Sequence, residues 1–425
     1  MIRIDRVCIY IIILGMIFII PSILYITFLD ELFALILGGI AIFDSVFNNN
    51  WKRYRLLWII IGIITLYAIY SLTCVHFTVP AGIALDWIIE LKTFISFIVF
   101  FSIKPRLTAK DKQLITYICF FNAIVIGTIL FIGHQYVKMV VSHVAYGGSI
   151  IFISCIYILY CNIDKEGKIP KKIILYTVAM LTVGLLCTRS KYYGIYILTI
   201  TFLFFYRPNF FRNFGLRHAI AVAAVFLLVL AASWRKIEYY FLTGESTTFD
   251  PSAIESFARP VLYVTGFLIL LDFFPFGTGL GSFGTFASEK YYSDVYYYYG
   301  INNVWGISPN TGFFICDAYY TSLAQFGIVG VMLFIWFWVY IYNFLRVLLR
   351  KNPVLYRYPY TIGALIICFI LIECTSGTLF TQQLGMFSMI LLGMISGTGQ
   401  SIKESDTPKT DFLQKKNNKN ITAFH

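Results

Sequence analysis

An all-α, polytopic integral membrane protein is the fold class this sequence predicts, and three observations predict it. Of its 425 residues, 59% are hydrophobic and 13% charged, where a soluble domain has roughly 45–50% and about 25%. The mean hydropathy is +0.77, and the apolar excess is spread over many runs rather than held in one anchor. The basic residues fall on one set of alternate connections between those runs, as membrane topology requires.

A helix needs about 20 apolar residues to cross the hydrocarbon core. Runs near that length lie at 7–27, 31–48, 56–74, 86–103, 113–133, 145–163, 173–187, 192–206, 219–232, 325–346, 360–378 and 380–397. They predict about twelve transmembrane helices. The first run follows Arg3 and Arg6, as a signal peptide would. It lacks a small-residue cleavage site and leads straight into further spans, so it reads as an uncleaved first helix.

Alternate connections carry Arg3 and Arg6, then Lys52, Arg53 and Arg55, then Lys104, Arg106, Lys110 and Lys112, and so on to the lysines of the tail. The opposite side holds only Lys138, Arg189, Lys191, Arg235, Lys236, Arg259 and Lys290, and Lys92 falls within a span. The positive-inside rule then puts both termini in the cytoplasm. The net charge of +12 is thereby an orientation signal and not a nucleic-acid footprint. The chain divides into a nine-span scaffold at 1–232, a large outward-facing connection at 233–325 between the ninth and tenth spans, C-terminal transmembrane helices at 326–400 and a disordered tail at 401–425.

The large connection is expected to carry the function. Long connections are usually functional or disordered, and this one is too aromatic for disorder, with Trp234, Trp305 and a tyrosine-rich stretch from Tyr291 to Tyr299. The tyrosines read as interfacial anchors, or more sharply as a surface for stacking sugars. Val261 to Phe274 is too short to span and reads as an interfacial helix on the outer surface. The glycine run PFGTGLGSFG has no GK[ST] ending and no preceding strand, so it is no phosphate loop; a tight backbone path is the better reading. Most of the nine cysteines lie in apolar runs, and no spacing suggests a disulfide framework, a zinc site or any other metal centre.

Charges within spans cost on the order of 2.5–3.5 kcal/mol each on insertion scales and require a partner or a task. Glu90 and Lys92, with Asp86 just before, are two apart and cannot face each other well; they are expected to pair with other helices or line a polar cavity. Glu373 is a second cavity-wall candidate. Asp30 and Glu31 form an acidic pair of the kind that serves as base or metal ligand in some lipid-linked sugar transferases.

Thr188 to Lys191 (TRSK) puts two cations in a tight turn on the side where cations are scarce. It is either a solvated turn or an anion site, since Arg binds phosphate with a planar fork and Lys adds a point charge. Arg259 is a second such cation, unless it only pairs with Glu255. Asp317, in FFICDAYY, is either a satisfied structural carboxylate or a general base whose pKa burial would raise. The large connection has no histidine; His76, His134 and His143 lie in shorter outer connections.

Three segments, TRSKYYGIYIL at 188–198, ARPVLYVTGFLILLDFFPFGTGLGSFGT at 258–285 and SPNTGFFICDAYYTSLAQFGIVG at 308–330, together with the large outer connection before the last three spans, resemble the O-antigen polymerase family. These are membrane glycosyltransferases that include O-antigen ligases and capsular polymerases. The resemblance covers about half the chain. It implies a polysaccharide polymerase of the bacterial inner membrane that joins oligosaccharide units carried on undecaprenyl diphosphate, with no soluble cofactor and no nucleic acid. A flippase and a chain-length regulator are implied partners beside membrane lipid. Arg189 and Arg259 fall where the family has arginines that contact the lipid diphosphate. With Asp317 as proton acceptor they form the expected catalytic set, and Lys191, Tyr263, Lys290 and Tyr319 the expected substrate contacts. Ligases often carry a histidine where this chain has Ser308-Pro309-Asn310, which favours a polymerase over a ligase. A transporter or flippase of lipid-linked oligosaccharide is the alternative from another class; it would require charged cavities within the spans. A membrane receptor with an inert outer loop is a third.

Overall fold

Long apolar runs bounded by Pro, Gly and charged residues leave the backbone one way to satisfy itself, and the computed structural model is accordingly all-helical. It describes residues 4–23, 25–204 and 258–406, with Leu227 and Trp234; no strand occurs among the described residues. Apart from those two residues, the span expected at 219–232, the first part of the large connection and the tail beyond 406 lie outside the described residues.

In order, the helices are α1 (Ile4–Phe18), α2 (Leu29–Phe47), α3 (Arg55–Tyr70), α4 (Pro80–Ile103), α5 (Ala109–Ile132), α6 (His134–Val141), α7 (Val144–Cys161), α8 (Lys171–Gly184) and α9 (Ser190–Phe204). After the gap come α10 (Ala258–Asp272), α11 (Gly327–Lys351), α12 (Arg357–Glu373) and α13 (Gln383–Asp406). Starts follow local chemistry. Pro80 opens α4, where its missing N–H is no loss. Thr108 and Asp111 close a capping box at α5.

Among the described residues four helical stretches are long and apolar enough to cross a membrane: Trp51–Val75, Ala109–Ile132, Val144–Cys161 and Tyr319–Lys351. The others fall short for visible reasons. α1 has 15 residues, a rise of about 22 Å against a hydrocarbon core of about 30 Å. α4 is long enough but carries Asp86, Glu90 and Lys92.

Contacts sort the helix ends into two sets. Arg6 of α1 pairs with Asp111 at the start of α5 at 2.8 Å. Arg53 donates to the carbonyls of Ser102 and Ile103, Lys104 reaches Ser401 at 2.8 Å, and Arg357 donates to the carbonyl of Leu203. These basic residues of alternate connections therefore share one end of the bundle, together with the start of α1 and the end of α13. The other end holds the start of α4, the turn between α8 and α9, the end of α12 and the whole of 258–326.

The centre is α4 against α13, with α7 beside them buried along most of its length. Small residues make the close approach possible. A Cβ on Gly393 would lie 2.5 Å from the carbonyl oxygen of Phe97, and one on Gly397 would lie 2.6 Å from that of Phe101. Gly393 and Gly397 are four apart, the small-xxx-small spacing that lets helix backbones meet. Gly393→Leu is expected to destabilise the bundle by at least the ~1–3 kcal/mol of an overpacked core. The check is membrane level and protease resistance beside Gly62→Ala, whose new methyl meets nothing within 4 Å.

Residues 258–315 build a small core of their own. Leu262, Ile269, Phe283, Val295, Tyr296 and Ile307 are buried together. The segment is pinned to the bundle by Tyr70 donating to the Gly277 carbonyl at 3.0 Å, Ser71 accepting from the Leu280 N–H at 2.7 Å and Asp86 accepting from the Gly281 N–H at 2.9 Å. The glycine run does take a tight path: Gly277 has φ +75°, and a Cβ there would lie 2.4 Å from the carbonyl oxygen of Ala324. The tyrosine stretch corrects an expectation. Tyr296 is fully buried, accepting from the Gly284 N–H and bonding Ser288, so it packs this core and anchors no interface. Tyr297 and Tyr298 remain exposed.

Candidate functional site

Three of the cations singled out in the sequence come to the same end of the bundle, two at the start of α9 and one at the start of α10. Thr188 adopts φ +52°, ending the turn after α8 and presenting Arg189 just before α9. Arg189 lies 2.8 Å from His143 Nε2, at the N-cap of α7. Lys191, in the first turn of α9, bonds Glu373 Oε2 at 2.6 Å and the Ser376 carbonyl at 2.9 Å. Arg259, in the first turn of α10, pairs with Asp317. Its Nε is buried and has no partner among the described residues. Asp317 and Arg189 both act on His143 electrostatically, which joins the two arginines through His143 and Asp317 into one neighbourhood.

The connection after α12 binds these parts together. Tyr263 of α10 donates to the Thr375 carbonyl at 2.7 Å, and the Tyr319 N–H donates to the Gly377 carbonyl. Tyr319 has a second task, since its hydroxyl donates to Glu90 at 3.0 Å. Lys290 stands apart, with its ammonium 5.7 Å from the centre of the Tyr291 ring; among the described residues no contact ties it to the arginines. Glu373 is a partner for Lys191 rather than a free cavity wall. Asp317 has its Oδ2 engaged by Arg259, so it serves as a counter-ion there and is not a free carboxylate. Glu255 lies outside the described residues.

His143 was not among the expected site residues, and the only sequence signal for it was its place in an outer connection. Its Nδ1 lies 3.2 Å from the Ala145 N–H, a donor, while its Nε2 faces a guanidinium. Both contacts ask the ring to accept; a neutral imidazole has one acceptor and an imidazolium none. Burial, then the Arg189 cation, holds the pKa below the ordinary 6.5. The sign follows. The unfolded chain binds the proton more readily, so the stability of the neutral form is complete above about pH 6.5 and is lost as pH falls through that value toward the depressed one. Thermal unfolding in detergent is expected to show this loss between about pH 7 and 5, with a shallower slope in His143→Gln.

Beside the cations lies a cavity of about 340 Å³, lined by Asp30, Glu31, Asp86, Glu90, Lys92, Tyr146 and Tyr319 among others. Lys92 turns away from Glu90, as its spacing demands, and bonds Asp30 at 2.5 Å and Glu31 at 2.7 Å. The acidic pair of the first outer turn is thus the partner of the lysine buried in α4. Ser142 and Cys316 also line the cavity, and they are the chain neighbours of His143 and Asp317. Burial and the adjacent Glu289 push the Cys316 thiol up, so it stays protonated and donates to Glu289.

Fold and composition together define a membrane-embedded, all-helical protein. No protein-family model matches the chain, and no curated protein matches it.

Proposed function

We propose that the protein is a polysaccharide polymerase of about twelve spans in the bacterial inner membrane, with both termini cytoplasmic and the 233–325 connection outside. It transfers a growing glycan from undecaprenyl diphosphate to an incoming lipid-linked oligosaccharide unit. The observation that carries this reading is the gathering of Arg189, Lys191 and Arg259 at one end of the bundle, against the 258–326 segment. Arginine forks suit a diphosphate, and fixed cations aimed at a leaving diphosphate act by electrostatic stabilisation. The grouping of Arg6, Arg53, Lys104 and Arg357 at the opposite end supports the orientation, since basic ends face the cytoplasm. Membrane lipid, a flippase and a chain-length regulator are the partners that go with this reading, which calls on no cofactor.

The test is the glycan profile of a deletion strain. Single repeat units on the carrier support the polymerase; long unattached chains indicate a ligase. The cavity between α2 and α4 favours a second reading, a transporter of lipid-linked oligosaccharide, because it holds charges inside the bundle. Precursor left facing the cytoplasm would select that reading. An unchanged profile sinks all three.

A further inference from the structure

We propose that the acidic cavity is the acceptor subsite of this enzyme: it takes the hydroxyl-bearing sugar of the incoming unit, and Glu90 receives the proton of the attacking hydroxyl. This rests on the polymerase reading above and names the residue that performs its proton transfer.

Asp86 and Glu90 are four apart on α4 and so share one helix face. Both are buried, at 0% and 2% exposure. Asp86 is one of the residues lining the cavity; it accepts from the Gly281 N–H and from Gln325 at 2.9 Å each, and among the described residues its buried Oδ1 has no hydrogen-bond partner. A buried carboxylate oxygen without a donor is costly, and a sugar hydroxyl is a donor of the right kind. Glu90 accepts from Tyr319, whose ring is held against Phe334 and Phe380, so the carboxylate is fixed in place. Four carboxylates and one ammonium line the space, and the ammonium is already shared by Asp30 and Glu31. Such a cavity repels a diphosphate and favours neutral hydroxyl groups. The cations next to it do the opposite. The two sites therefore divide the substrates, with the leaving diphosphate at the arginines and the acceptor sugar at the acids.

In the step itself, the acceptor oxygen forms the new bond to the anomeric carbon while the bond from that carbon to the diphosphate oxygen breaks. The diphosphate leaves with the electron pair, and the hydroxyl proton passes to the Glu90 carboxylate. Asp317, paired with Arg259, is left to balance charge.

The experiment is complementation of the deletion strain with full-length Glu90→Gln and Glu90→Asp, beside carbodiimide labelling of the wild-type chain. General-base catalysis contributes about 100- to 10,000-fold. Glu90→Gln is therefore expected to cut polymer yield by about 100-fold or more at normal membrane level, with partial rescue in Glu90→Asp. Dicyclohexylcarbodiimide, an apolar reagent for buried carboxyl groups, is expected to label Glu90 in membranes lacking the lipid-linked unit and to lose that labelling when the unit is present. Wild-type polymer from Glu90→Gln overturns the assignment while the polymerase reading stands. Equal labelling in both membranes also overturns it, and that measurement needs no variant to fold. A deletion strain with a normal glycan profile instead removes the polymerase reading itself.

Discussion

Replacing Arg189 or Arg259 by alanine is expected to stop polymer growth, each lowering yield by about 100- to 1,000-fold, the cost of removing one preorganised donor from developing charge. A guanidinium has five N–H donors. Arg189 contacts His143 through one nitrogen, and Arg259 pairs with Asp317 through one nitrogen while its side chain stays 39% exposed. Both have donors to offer a diphosphate. Lysine in their place keeps the charge but loses the fork, so Arg189→Lys and Arg259→Lys should recover only part of the yield. Arg259→Ala also strands Asp317. Arg259→Ala combined with Asp317→Asn should restore membrane level and leave polymer absent, which separates the chemistry from the fold. The measurement is glycan length on a gel with the protein quantified in the same membranes. Full-length polymer from both alanine variants would remove these residues from the mechanism.

The largest loss of stability is expected from Lys92→Met. The lysine is buried in α4 and bonds two carboxylates of α2, Asp30 at 2.5 Å and Glu31 at 2.7 Å. Removing one partner of a buried ionic group leaves charge uncompensated, at about 3–5 kcal/mol. The variant should unfold at lower temperature in detergent and accumulate less in the membrane. Lys92→Met with Asp30→Asn and Glu31→Gln should recover most of the loss, because neutral amides leave no stranded charge. If the single variant is as stable as wild type, the triad does not tie α2 to α4 as described.

Much of this was legible before folding. Apolar runs of helical length announced the helices, and eleven of the twelve expected spans coincide at least in part with described helices. The spacing of Glu90 and Lys92 already excluded their pairing, and the glycine run read as a tight turn rather than a phosphate cradle. The partners were not legible. Nothing local joins Lys191 to Glu373, 182 positions away, or Arg259 to Asp317, 58 positions away. His143 was passed over because a lone histidine in a short connection carries no pattern. The tyrosine stretch misled because burial of Tyr296 depends on Phe283 and Ser288, which reach it only after the chain turns back on itself.

By itself the sequence determined that the chain is helical and apolar and that its basic residues favour one set of connections. Those properties follow from composition and period, which act residue by residue or over a single turn. The tertiary structure alone decided which carboxylate answers which cation, that a cavity opens beside the arginines, and that Asp86 and Glu90 face into it. Coulombic and hydrogen-bond partners are chosen by distance in space. In a bundle that distance is set by which helices pack together, as the glycines of α13 allow α13 to do against α4.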